Sequence, residues 1–138
     1  MVKNKKHLIF KISSKREQLP KIEKITSSIA DTMNLNEEQK DNLAIAVTEA
    51  VGNAIVHGNR QDAKKKVTIE FYLKKNKIKV SVKDEGQGFN PDTLSNPLEP
   101  ENIMKESGRG IFILKSLMDQ VNFSEKGTKI NFTMKIAS

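Results

Sequence analysis

The chain has 138 residues, 36% of them hydrophobic, with 24 Lys and Arg against 17 Asp and Glu for a net charge of +7. Such a length fits one domain able to bury roughly two-thirds of its unfolded surface, and the apolar content is that of a globular chain, not a disordered one. Cysteine is absent and the two histidines, His7 and His57, stand far apart, which excludes a disulfide framework, a thiolate nucleophile and metal-ligand spacing.

Apolar runs of only a few residues exclude a membrane-spanning helix. The basic start, Met1 to Lys6, is followed by an apolar patch that stops at Ile12 without a small-residue cleavage site, so no secretory signal is read and a cytoplasmic location is expected. The basic surplus invites a nucleic-acid role. Its lysines are scattered, however, several alternate with apolar residues, and one Tyr with no Trp offers little to stack on bases. A solvated surface is the preferred reading, with no direct nucleic-acid contact.

In chain order, Leu8, Phe10 and Ile12 alternate with Ile9 and Lys11 and predict a first strand. Ser14 with Glu17 has capping-box spacing and announces a helix, which Pro20 tolerates only near its start. Ile22, Ile25, Ile29 and Met33 form its buried stripe. Asn36 with Gln39 is a second cap, and Leu43, Val47, Ala50, Val51 and Ala54 share one face of the helix that follows. That helix is expected to end near His57-Gly58-Asn59, with the glycine left-handed.

Val67, Ile69, Phe71 and Leu73, then Ile78, Val80 and Val82, alternate with polar residues across a short turn and predict a hairpin. The segment from Asn90 to Ser107, with Pro91, Pro97 and Pro100, reads as a long loop of the kind that serves as a lid or is disordered. Gly110 to Met118 reads as a helix, and Ile130, Phe132, Met134 and Ile136 as part of the last strand. The order β, α, α, β, β, loop, α, β, β in a single domain over 1–138 predicts an α+β two-layer sandwich. Its sheet is mixed and mainly antiparallel, with helices on one face.

Four groupings carry potential chemistry. Glu49, Asn53 and His57 are four residues apart on the second helix and form one row beside its apolar stripe, a carboxylate and an amide oxygen suited to a hard cation or a polarised water. Asp84-Glu85-Gly86-Gln87-Gly88-Phe89 leaves a strand, its glycines allowing close backbone approach and positive φ. Gly108-Arg109-Gly110 opens a helix whose free N–H groups suit an anion, and Gly127-Thr128 puts a hydroxyl near the last strand. Each alone is as common on ordinary helices and turns.

Together and in this order they resemble the Bergerat ATP-binding fold shared by gyrase, heat-shock chaperones, histidine kinases and mismatch-repair proteins, over almost the whole chain. Glu49-Ala50-Val51-Gly52-Asn53-Ala54-Ile55-Val56-His57-Gly58 and Ser107-Gly108-Arg109-Gly110-Ile111-Phe112 are most similar to the anti-sigma-factor serine kinases. The resemblance implies ATP or ADP with Mg²⁺ as cofactor. Asn53 would be the magnesium ligand and Glu49 the catalytic base; Asp84, with Thr128 directly or through water, would take the adenine amino group. Gly86, Gly88 and Phe89 would lie along the base, and Gly108, Arg109, Gly110 and Ile111 along the lid and phosphates. His57 would cap its helix or pack against the sugar, and Arg109 would pair with a phosphate or face solvent.

The same resemblance implies a homodimer that binds a sigma factor and phosphorylates a serine of an anti-sigma-factor antagonist (a STAS-type protein). A regulator that uses nucleotide only to switch a binding surface is the alternative. The chain carries no Gly-x-x-x-x-Gly-Lys-Ser/Thr loop, and no separate phospho-acceptor helix with a histidine, so neither a P-loop enzyme nor a sensor histidine kinase is expected.

Overall fold

The computed structural model describes residues 6–87 and 106–136. Along the chain run β1 (Lys6–Ser13), α1 (Leu19–Thr32), α2 (Glu37–Asn53), β2 (Lys66–Lys74), β3 (Lys77–Lys83), α3 (Glu106–Leu117), β4 (Gln120–Ser124) and β5 (Lys129–Lys135). The strands form one five-stranded sheet in the order β1-β2-β3-β5-β4. Every pairing in it is antiparallel, so the expected mixture reduces to its main component.

Register follows from burial. Phe71 of β2 stands opposite Leu8 and Val80, and Val80 stands opposite Phe132, so one apolar row crosses β1, β2, β3 and β5. A slip of one residue would turn each strand's apolar set to water. The helices cover that face: Ile22 and Ile29 of α1, Leu43, Val47 and Val51 of α2, and Leu114 of α3 complete a single core.

The opposite face alternates cleanly on β2 but not on β5, where Asn131 and Thr133 are buried along with Phe132 and Met134. The reason is a polar ladder: Ser81 Oγ donates to Asn131 Oδ1 at 2.7 Å, and Asn131 Nδ2 donates to Asn122 and Ser124 of β4 at 3.1 Å each. Edge residue His7 has a structural partner set of the same kind. It stacks on Tyr72 with ring centroids 4.3 Å apart, and its Nε2 lies 2.7 Å from Glu70 Oε2.

Local signals held at α2 and failed at α1. Asn36 and Gln39 form the reciprocal capping box at 2.8 and 3.0 Å. Ser14, by contrast, does not cap a helix. It is fully buried and its hydroxyl donates to the Lys65 carbonyl at 2.7 Å, a partner 51 residues away. A short 3₁₀ turn, Arg16–Gln18, leads instead into α1, with Pro20 in the first turn where its missing N–H costs nothing.

Past Asn53, α2 widens into a π-helical turn over Ala54–Gly58, where the Asn59 N–H reaches back to the Ala54 carbonyl at 2.8 Å. The left-handed residues are Arg60 and Gln61, at φ 51° and 58°, and not Gly58. Glycine is required at 58 for a different reason: a Cβ there would stand 2.3 Å from Asp84 Oδ2. Likewise α3 begins at Glu106, so Gly108-Arg109-Gly110 lies within its first turns, not ahead of them.

Candidate functional site

A cavity of about 540 Å³ opens at one end of the sheet, where β3 ends, β5 begins, α2 widens and α3 starts. Its apolar lining comes from Val82, Phe123 and Ile130 of the sheet with Ala50, Ala54 and Ile111 of the helices. Its polar lining comes from Asn53, His57, Arg60, Lys65 and Asp84. An apolar slot with a few converging polar groups is the usual form of a small-ligand site.

Asp84 is aimed by its neighbours. Its backbone N–H donates to the Thr128 carbonyl at 2.9 Å, and its Oδ1 accepts the Gly86 N–H at 2.7 Å. Gly86 in turn crowds Gly58, since a Cβ at 86 would stand 2.1 Å from the Gly58 carbonyl oxygen. Neither Gly58 nor Gly86 has positive φ, so close approach alone selects glycine here. Burial pushes the Asp84 carboxyl above its ordinary pKa, with the Gly86 N–H and the Lys65 charge pulling only partly the other way.

Asn53 and Glu49 meet the start of α3. A Cβ at Gly110 would stand 2.6 Å from Asn53 Nδ2 and 3.2 Å from Glu49 Oε2, so the amide and the carboxylate face one point beside that helix. Helical periodicity explains the first part of this: residues four apart share a face. The meeting of that face with Gly110 depends on α3 packing against α2.

Of the residues singled out from the sequence, Asn53, His57, Asp84, Gly86 and Ile111 line the cavity, and Glu49 and Gly110 adjoin it through Asn53. His57 is exposed in the π-helical turn. Thr128 stands next to Asp84 by its backbone, while its hydroxyl donates to the Glu125 carbonyl at 2.7 Å. Gly108 and Arg109 lie in the first turns of α3, whereas Gly88, Phe89 and most of the predicted loop lie outside the described residues. Sequence reasoning did not single out Arg60 or Lys65, which line the cavity, and took Asn59 for the end of a helix.

Residues 12–134 match the histidine kinase-like ATPase domain. The chain belongs to this family. Among curated proteins, the serine-protein kinase RsbW of Oceanobacillus iheyensis is 26% identical over 97% of this chain and 89% of its own length. RsbW of Bacillus subtilis is 29% identical over 88% and 79%. RsbW of Staphylococcus aureus is 36% identical over 67% and 63%. The solved RsbU and RsbW domains of Rv1364c from Mycobacterium tuberculosis superpose with a TM-score of 0.66 at 14% identity, over 95% of this chain and 31% of that one. This likeness shows the fold alone, and the present chain spans about a third of that solved chain's length.

Proposed function

We propose that this chain is an ATP-dependent protein serine kinase and anti-sigma factor. It binds a sigma factor and phosphorylates a serine on that factor's antagonist. The observation that carries the reading is one cavity holding the Asn53 amide and the Asp84 carboxylate at its rim, with Glu49 adjoining. The similarity to curated serine-protein kinases supports the choice of acceptor.

The donor set fits a hard cation carried on a nucleotide. Glu49 and Asn53 offer carboxylate and amide oxygens near one point, and no group of three His, Cys, Asp or Glu able to hold a metal occurs among the described residues. So small a set suits Mg²⁺, which retains waters and takes its remaining ligands from phosphates. When bound, Mg-ATP supplies the phosphoryl group and the cation neutralises its charge.

The chain's own residues then divide the work. Asn53 holds the metal edge of the nucleotide. The flat apolar slot formed by Val82, Ile130 and Ile111 receives the purine ring, and Asp84 Oδ2 takes its amino group. Glu49 orients the attacking seryl hydroxyl and accepts its proton, a role that needs position more than reactivity. Gly110 admits the phosphates because a side chain there would fill the space beside Asn53.

The partner assembly belongs to the same proposal. β1 is a sheet edge with Ile9 55% exposed on it, which supports a second copy pairing there. A monomer in sedimentation at micromolar concentration would remove the dimer. Incubation with labelled ATP, Mg²⁺ and the cognate antagonist tests the kinase; bound ATP without transfer would favour the nucleotide-switched regulator. Asn53→Ala is expected to weaken Mg-ATP about tenfold or more while leaving the weaker magnesium-free binding unchanged, as read by calorimetry.

A further inference from the structure

Beside the cavity lies a buried polar side chain that none of these roles uses. Asn59 is 1% exposed and does not line the cavity. Its Oδ1 accepts the Glu85 N–H at 2.7 Å, and its Nδ2 donates to Ser14 Oγ at 2.7 Å and to the Lys66 carbonyl at 3.0 Å. Ser14 Oγ donates onward to the Lys65 carbonyl at 2.7 Å. Four segments thus meet at one amide: the end of β1, the π-helical turn, the start of β2 and the turn after β3.

Such an amide has one acceptor end and one donor end, and each faces a fixed partner, so only one orientation satisfies it. Burial makes the alternatives costly. Asn59 therefore locks both supports of Asp84. On one side it holds Glu85, between Asp84 and the Gly86 N–H that binds the carboxylate. On the other it follows Gly58, whose α-carbon packs under the same carboxylate.

Resting on the reading of Asp84 as the acceptor for the adenine amino group, we propose that Asn59 is a positioning residue for base selection. It sets where the Asp84 carboxylate stands, and so how well the site separates a purine with an amino group at that edge from one with a carbonyl. It acts without touching the nucleotide.

The test is calorimetric titration of the whole chain with Mg-ATP and Mg-ITP, whose base carries a carbonyl in place of the amino group, alongside thermal melting. Asn59→Ala is expected to weaken ATP about tenfold and ITP far less, so that discrimination between them collapses while magnesium dependence persists. A purely structural role would lower the melting temperature and leave the ATP-to-ITP ratio at its original value, which overturns the inference. Wild-type protein that binds neither nucleotide, or binds both alike, instead removes the parent reading. Should Asn59→Ala fail to fold, hydrogen exchange on the unmodified chain decides. The Glu85 amide is expected to be protected and further slowed by Mg-ATP, and an exchange rate indifferent to Mg-ATP overturns the coupling.

Discussion

Glu49→Ala is expected to lower phosphotransfer by a factor of roughly 10²–10⁴, the span that a positioned proton acceptor contributes. ATP affinity should change little, because the carboxylate adjoins the nucleotide cavity through Asn53 and is not part of its lining. The physical reason for so large an effect lies in the row on α2. Glu49 is held one turn from Asn53, and the start of α3 closes on both, which is where the proposed mechanism needs a base beside the acceptor hydroxyl and the phosphates. Glu49→Gln keeps the shape and removes the basicity, and should fall nearly as far. Single-turnover transfer to the antagonist, with calorimetric ATP binding on the same samples, reads both halves. Transfer that survives either substitution unchanged would refute the assignment of the base. Loss of ATP binding in step with transfer would point to a structural role for the carboxylate.

The row that underlies this result was legible because it is local. Helical spacing alone puts Glu49 and Asn53 on one side of α2, although His57, read as the third of the row, falls in the π-helical turn past its end, and the Asn36–Gln39 box marks where that helix starts. The alternating strands were legible for the same reason, each exposing a face of period two to a core. Failures occur where a distant partner outbids a local one. Ser14 and Glu17 have the spacing of a cap, yet the hydroxyl is taken by the Lys65 carbonyl, just ahead of β2, and by Asn59. Gly58 carries the usual mark of a left-handed helix end, yet its lack of a side chain serves the Asp84 carboxylate. No local pattern announces either contact: the first needs the end of β1 beside the start of β2 and Asn59, and the second needs β3 to deliver its end beside the end of α2. The polar residues of β5 were hidden similarly: Asn131 looks like a wet-face residue until β4 brings Asn122 and Ser124 alongside.

Asp84→Asn separates function from stability, because the two should move in opposite directions. Burial raises the pKa of this carboxyl, so between its unfolded and folded values the native state holds more protons than the unfolded one. Stability contributed by the group therefore falls as pH rises through that window, and at neutral pH the ionised carboxylate is a net cost. A neutral amide removes that cost, and its oxygen can keep the bond from the Gly86 N–H. The substitution is thus expected to leave the melting temperature equal or higher, and to flatten its dependence on pH in the acidic range. Binding should do the reverse. With the amide oxygen retained by Gly86, the NH₂ must occupy the place of Oδ2 and face the adenine amino group, donor against donor. Mg-ATP affinity is expected to drop about tenfold to a hundredfold, while a purine with a carbonyl at that edge gains relative to it. Melting curves across pH and paired titrations with Mg-ATP and Mg-ITP measure both trends. An Asp84→Asn protein that still prefers ATP as the wild type does would show that this carboxylate does not read the base.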